Sequence, residues 1–277
     1  MSDNLDALLD RARSIRADIL RCTTEAGSGH PTSSLSAVEV FTALYFGGFL
    51  RYDPQNPQWP DRDRFILSKG HAAPVLYSTL AEAGYFPKDE LMTLRKLGSR
   101  LEGHPDMHRL PGVEASTGSL GQGLSLGVGH ALAARIDKKD YHTYVMTGDG
   151  ELNQGQVWEA AASAAKFGLD NLTLIVDRNH YQQTGAAEEV LNMDPIDGKF
   201  NAFGWRTFTI NGNDMGEVVT ALTRARAIKD RPTCLVSLTH KGQGILPLLQ
   251  KLGDVNFHGK PIPEKDLAEA LAEVGNS

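Results

Sequence analysis

One stretch near the middle of the chain limits the fold more than any other. Thr143–Thr147 is a short apolar run that leads into Gly148-Asp149-Gly150; a helical pattern follows over Val157–Phe167, and a second apolar run, Leu172–Asp177, ends in Arg178-Asn179. Strand, helix and strand in that order make a right-handed crossover between parallel strands. Both strand ends then fall on one edge of the sheet, where open α/β sheets receive ligands. Asp149 stands at the first strand end and Asn179, thirty positions later, at the second. A carboxylate and an amide oxygen converging there are hard donors suited to Mg²⁺, which favours sites shared with phosphate. Gly148 and Gly150 let main-chain N–H groups approach a phosphate, with the next helix aiming its N-terminus at it. The same residues also suit a plain strand-to-helix turn, with Asp149 as a cap and Asn179 in a separate turn; this spacing leaves both readings open.

The rest of the chain extends the alternation. Leu5, Leu8, Leu9, Ala12, Ile15 and Ile19 recur at helical spacing before the glycine exit at Gly27 and Gly29. A second helix is predicted over Ser34–Phe46, a proline-rich loop over Tyr52–Pro60, a buried strand at Phe65–Leu67, and helices over Ala72–Ala83 and Gly121–Ala134. Trp205–Ile210 and Cys234–Leu238 read as further strands, with a helix marked by Met215, Val218, Val219, Leu222 and Ala225 between them. Apolar strands alternating with helices predict an α/β fold, a parallel sheet with helices on both faces. With no repeat and no strong linker, residues 1–277 are expected to be one domain, with a polar C-terminal tail after about Pro261.

Composition excludes several functions. A net charge of −6 argues against a nucleic-acid partner, which needs a basic face to release counterions. No apolar run reaches membrane-spanning length, and Asp3, Asp6, Asp10, Arg11, Arg13, Arg16 and Asp18 rule out a signal-peptide core near the start. No membrane partner is therefore expected. Two cysteines, Cys22 and Cys234, make neither a disulfide framework nor a zinc site and read as buried thiols. The expected location is cytoplasmic.

Several further segments carry a resemblance. Gly148-Asp149-Gly150 with Asn179 resembles the thiamine diphosphate fingerprint, and Ser28-Gly29-His30-Pro31-Thr32-Ser33 resembles the substrate-side loop of transketolases. Leu67–Pro74 (LSKGHAAP), Gly103-His104-Pro105-Asp106 and Ser116–Gly123 (STGSLGQG) are similar to three more motifs of that family. Lys241-Gly242-Gln243-Gly244 and His258-Gly259-Lys260-Pro261 resemble its closing elements. Seven motifs in order, from residue 28 to residue 261, cover nearly the whole chain.

The resemblance implies the thiamine diphosphate-binding (PP) fold and a set of roles. Asp149, Asn179 and the carbonyl of Tyr181 would hold Mg²⁺, with Ca²⁺ or Mn²⁺ as alternatives, and Gly150 would touch the diphosphate. Gly118, Ser119 and Leu120 would line the ring side of the cofactor, and Ser33, His71, Lys241 and His258 would contact it. His30, His71, His104 and His258 would surround the substrate as catalytic residues; a single histidine means little, but four glycine-flanked imidazoles suit proton transfer at sugar hydroxyls. The implied activity is transfer of a two-carbon ketol unit from a ketose or its phosphate to an aldose or its phosphate. A partner carrying the pyrimidine-binding (Pyr) domain, in an α2β2 assembly, would supply the ring-activating glutamate. Split ketolases for an unusual sugar, a deoxyxylulose-phosphate synthase-like or 2-oxo acid subunit, and a non-catalytic subunit remain alternatives. Four positions depart from the family pattern: Gln154 replaces a common glutamate of a dimer-interface network, Asn213 a common histidine, and His240 and Gln243 alter the surroundings of Lys241.

Overall fold

In the computed structural model, which describes residues 2–254 and 256–275 (side chains from residue 5), a long helix, α1 (Ser2–Ala26), leads the chain. It buries Leu8, Ala12, Ile15 and Ile19, while Leu9 of the expected stripe lies exposed. The helix predicted over Ser34–Phe46 is instead two, α2 (Pro31–Leu35) and α3 (Val38–Phe46). The break has a chemical cause. The Ser34 hydroxyl donates back to the His30 carbonyl at 2.9 Å, and the Ser36 hydroxyl donates to the carboxylate of Asp177 at 2.7 Å. Serine hydroxyls compete in this way with continuous helical pairing.

β1 (Arg64–Leu67), α4 (Ala73–Glu82), α5 (Gln122–Ile136), β2 (Thr143–Gly148), α6 (Gly155–Lys166) and β3 (Leu172–Arg178) keep the predicted alternation. Two short helices absent from the sequence reading, α7 (Ala187–Leu191) and α8 (Ile196–Ala202), precede β4 (Arg206–Asn211), α9 (Met215–Ala227) and β5 (Thr233–Leu238). After α10 (Leu246–Lys251), the stretch expected to be a polar tail carries α11 (Leu267–Gly275), packed on α1 with Ala270 and Val274 buried. Leu267, Ala270, Leu271 and Val274 recur three and four apart, an apolar stripe that the surrounding charges conceal.

The five strands are all parallel, in the order β1-β2-β3-β5-β4. Successive strand residues point to opposite faces. Phe65, Leu67, Tyr144, Met146, Ile175 and Leu235 pack with α1, α3, α4 and α9, whereas Ile66, Val145, Leu174, Val176 and Val236 pack with α5, α6 and α8. Both faces are thus covered, as the apolar strands require. Register sets Gly148 beside Asp177 and Asp177 beside Ser237, so the segments after β2, β3 and β5 leave the sheet side by side. Cys22 and Cys234 are free, buried thiols. Among the described residues, no helix is long and apolar enough to cross a membrane.

Candidate active site

The carboxyl ends of β1, β2, β3 and β5 open onto one cavity of about 800 Å³. Lys69 enters it from the loop after β1, Gly148, Asp149 and Gly150 from β2, Asn179 and Tyr181 from β3, and Lys241 from the loop after β5. The 27–33 loop and α2 add His30 and Ser33, and the 101–121 stretch adds His104, Gly118 and Leu120. Of the candidate catalytic, cofactor and metal residues, all but Ser119 line the cavity; Ser119 faces solvent. The chain bends at Ser119 on its way into α5, and the side chain there is left exposed while Gly118 and Leu120 line the cavity.

Asp149 is almost fully buried and accepts three hydrogen bonds: from Gly150 N–H at 2.8 Å, from the Arg178 guanidinium at 2.9 Å and from His180 N–H at 3.0 Å. An ionised carboxylate has about four acceptor positions, so one remains for a cation. Burial, and then the charge of Asp177, push the Asp149 carboxyl up, against the pull of Arg178. The Asn179 amide oxygen accepts from Tyr181 N–H at 3.1 Å, and its NH₂ donates to Asp177 at 3.2 Å. The glycine loop leads first into a 3-10 turn, Gly150–Asn153, so α6 does not follow it directly as expected. At Gly150 a Cβ would sit 2.9 Å from Cγ of Gln182, so a larger residue would have to displace that side chain. Gly118 is required twice over, with φ of 143° and a Cβ that would lie 2.9 Å from the His104 ring.

Two lysines set the charge of the cavity. Lys69 is fully buried in an ion pair with Asp177 and donates to the Ser33 carbonyl at 2.8 Å. Lys241 is nearly as buried, yet its ammonium meets no carboxylate among the described residues; it donates to Asn256 and to Nδ1 of His258, the latter at 3.0 Å. Burial, with Lys69 nearby, brings Lys241 down to about 8. A buried cation without a counter-charge is a strong call for an anionic ligand. His30 adds a second unmet demand, since its Nδ1 is buried with no hydrogen-bond partner among the described residues. Among the described residues no three His, Cys, Asp or Glu side chains form a metal cage. A cation here therefore needs the Asn179 amide, a main-chain carbonyl and oxygens from the ligand, a set that suits Mg²⁺ bound through a diphosphate. The residues present fit that group.

The histidines form a tight cluster. Ring centroids are 5.2 Å apart for His30 and His71, 5.0 Å for His30 and His258, and 5.7 Å for His71 and His258. His104 packs against Gly118 at the cavity wall. Burial dominates their titration: it brings His30 to about 3, helped by His258 and Arg95, and His258 to about 4, helped by Lys241. His71 is driven well down by burial and Lys69, and His104 down by burial and Arg95. The four imidazoles are thus neutral near pH 7, able to donate at one nitrogen and accept at the other.

These shifts carry a sign for stability. Unfolding restores the ordinary histidine value, so between about pH 6.5 and about 3 the unfolded chain binds protons that the folded one refuses. Stability should therefore fall as pH is lowered through that window. His142, buried at the far end of β2 and brought to about 3 by burial, works in the same direction. Raised carboxyls such as Asp149 and Glu151 act in the opposite direction, so the histidine effect is read between about pH 7 and about pH 5, around the ordinary histidine value, and by comparison with a variant lacking one histidine. Denaturation midpoints measured across that interval should decline, and less steeply in His142→Gln; a flat native profile would contradict the assignment.

Sequence reasoning missed three residues that build the site. Glu151, buried and pushed up by burial, accepts from Ser68, from Gly121 N–H at 2.7 Å and from Gly148 N–H at 3.2 Å, tying three loops together. Asp177 and Lys69 form the buried ion pair. All three lie inside or beside segments already singled out, but only their buried positions reveal what they do. Of the departures, Asn213 is tied into the fold: it donates to the Ser36 carbonyl at 3.3 Å and to Glu39 at 3.2 Å, and accepts from His240 N–H at 2.8 Å. Gln243 contributes its main-chain carbonyl, which accepts from Arg16 at 3.3 Å. Gln154 is exposed at the cavity rim.

Comparison with known proteins agrees with this geometry. Residues 7–277 match the family model described as "Transketolase, thiamine diphosphate binding domain". Human transketolase is 43% identical over 270 residues, which are 97% of this chain and 42% of that protein. A 6-deoxy-6-sulfo-D-fructose transketolase subunit, SqwG, of Clostridium sp. (strain MSTE9) is 40% identical over 274 residues, 99% of this chain and 98% of the relative. Transketolase from Leishmania mexicana superposes with a TM-score of 0.89 at 32% identity, covering 97% of this chain and 41% of that one. The chain thus spans less than half the length of the animal transketolases it matches. With the parallel sheet, the glycine loop and the histidine cavity in place, the chain belongs to the transketolase thiamine diphosphate binding domain family.

Proposed function

We propose that this chain is the cofactor-holding half of a transketolase-type transferase, working with a second half that carries the pyrimidine-binding domain in an α2β2 assembly. The observation that carries the reading is the buried Lys241, which meets no carboxylate among the described residues and faces the same cavity as Asp149 and Asn179. Lys241 and the Gly150 main chain would hold the diphosphate, and Asp149, Asn179 and the Tyr181 carbonyl would hold Mg²⁺, or Ca²⁺ or Mn²⁺ in its place. Leu120 and Gly118 would lie along the rings. When bound, thiamine diphosphate supplies a carbon nucleophile and an electron sink for breaking the C–C bond beside a ketose carbonyl. The neutral imidazoles of His30, His71, His104 and His258 would donate to the substrate carbonyl oxygen and take protons from its hydroxyls, each in turn.

The donor and acceptor proposed are a ketose phosphate and an aldose phosphate. A sulfonated ketose is the second reading, favoured by the relative of matching length whose name specifies 6-deoxy-6-sulfo-D-fructose. The proposed setting is cytoplasmic. The decisive test is co-expression with the product of the adjacent reading frame. Turnover is then assayed with xylulose 5-phosphate and ribose 5-phosphate, and with the sulfonated ketose as alternative donor. Turnover is expected in the complex and in neither chain alone. His30→Ala should lower kcat by roughly 100-fold or more while leaving cofactor affinity nearly unchanged. A complex inactive with every ketose donor would sink the transferase reading.

A further inference from the structure

Asp177 is fully buried at the end of β3 and takes no part in lining the cavity, yet four donors converge on it, three from other segments and one from its own. The Ser36 hydroxyl, at 2.7 Å, comes from the turn between α2 and α3; the Lys69 ammonium comes from the loop after β1; the Thr239 hydroxyl follows β5; and the Asn179 NH₂ donates at 3.2 Å. All but Thr239 bond to the same oxygen, Oδ2. An ionised carboxylate accepts and never donates. Whatever part of the Asn179 amide faces it must therefore be the NH₂, and the amide oxygen is forced to the opposite side, where it accepts from Tyr181 N–H at 3.1 Å.

We infer that Asp177 is a positioning residue for the cation site: it fixes which end of the Asn179 amide meets the metal. An asparagine is otherwise indifferent, since its oxygen and nitrogen occupy nearly the same space after a flip. Presented nitrogen-first, it would offer two hydrogens to a cation and repel it. The Lys69 ammonium and the Ser36 hydroxyl donate to the same Oδ2 that faces the amide, so that oxygen is met by donors from every side. The arrangement also explains why position 179 carries an amide and not the stronger carboxylate ligand: a second acid would lie against Asp177 in a buried site.

This inference rests on the reading of Asn179 as a metal ligand, and the experiment separates the two. Mn²⁺ binding to the full chain in the presence of excess thiamine diphosphate is followed by the loss of the free-ion EPR signal, with folding checked by circular dichroism. Asn179→Ala should abolish the Mn²⁺ uptake that depends on thiamine diphosphate. Asp177→Asn should weaken it by roughly 10–100-fold, the usual cost of losing a partner that orients a ligand. Ser36→Ala removes another bond to the same carboxylate without freeing the amide, so it should lower thermal stability and leave Mn²⁺ affinity unchanged. The exchange Asp177→Asn with Asn179→Asp restores a donor–acceptor pair in the reverse sense at constant charge, and should recover affinity to within about 10-fold of the native chain. If Asp177→Asn does not fold, the exchange variant decides: recovered affinity supports the inference, and a folded exchange variant without it overturns the inference. A folded Asp177→Asn chain with native Mn²⁺ affinity also overturns it. Native protein that takes up no Mn²⁺ with thiamine diphosphate, or Asn179→Ala that takes it up normally, overturns the metal reading itself.

Discussion

Asp149→Ala should abolish metal-dependent binding of thiamine diphosphate, lowering its affinity by more than about 100-fold, beyond the 10–100-fold typical of losing an outer partner of a ligand. The side chain is a carboxylate that lines the cavity with Asn179, and its three hydrogen bonds hold it in place. Removing it also takes from Arg178, whose guanidinium bridges Asp149 and Asp194 at 2.9 Å and 2.6 Å, its buried partner, and from His180 N–H its acceptor. The segment from Tyr181 to Asp194 loses an anchor along with the metal. Calorimetric titration with and without Mg²⁺ reads the result directly. Equal affinity in both conditions, for native and variant chains alike, would remove Asp149 from the metal assignment.

Lys69→Met should be the most damaging substitution for stability. Both members of the Lys69–Asp177 pair are at most 1% exposed. Loss of one partner of a buried ion pair leaves an uncompensated charge and costs about 3–5 kcal/mol. Burial pushes the Asp177 carboxyl up, and Lys69 with the hydroxyl donors outweighs it to hold the group below its ordinary value. In Lys69→Met the burial effect should win and Asp177 should take up a proton on folding. The destabilisation should therefore shrink at low pH, where the unfolded chain is protonated at that group as well. Urea titrations at neutral and mildly acidic pH would show it; a loss that is small, or independent of pH, would contradict the buried-charge account.

Much of the fold was legible because apolar strands buried on both faces need few long-range facts to be recognised. β2 and β3 follow from their own composition, and the convergence of Asp149 with Asn179 follows from crossover geometry. The division of α2 from α3 was not legible, since the Ser36 hydroxyl is committed to a carboxylate 141 positions away. The helix α11 was concealed because its stripe is narrow and its neighbours charged. Cavity residues were legible as types and motifs, but not by direction: Ser119 sits within a family motif and points outward. Nor does a sequence reveal that Lys241 is buried with no carboxylate beside it among the described residues, because that depends on how the other segments pack around it.

The convergence of four segments on Asp177 has a meaning for how the molecule assembles. A buried carboxylate with only some of its donors present is costly, so the α2–α3 turn, the loop after β1, the end of β3 and the end of β5 gain their mutual stability together. Partial structures with two or three of these segments docked are penalised relative to both the complete fold and the open chain. The cation and diphosphate side of the cavity thereby becomes part of one cooperative unit instead of a set of loops that fray independently. Substitutions there should be felt as changes in the height of a single unfolding step, and the order of the ligand site is inherited from the folding transition itself.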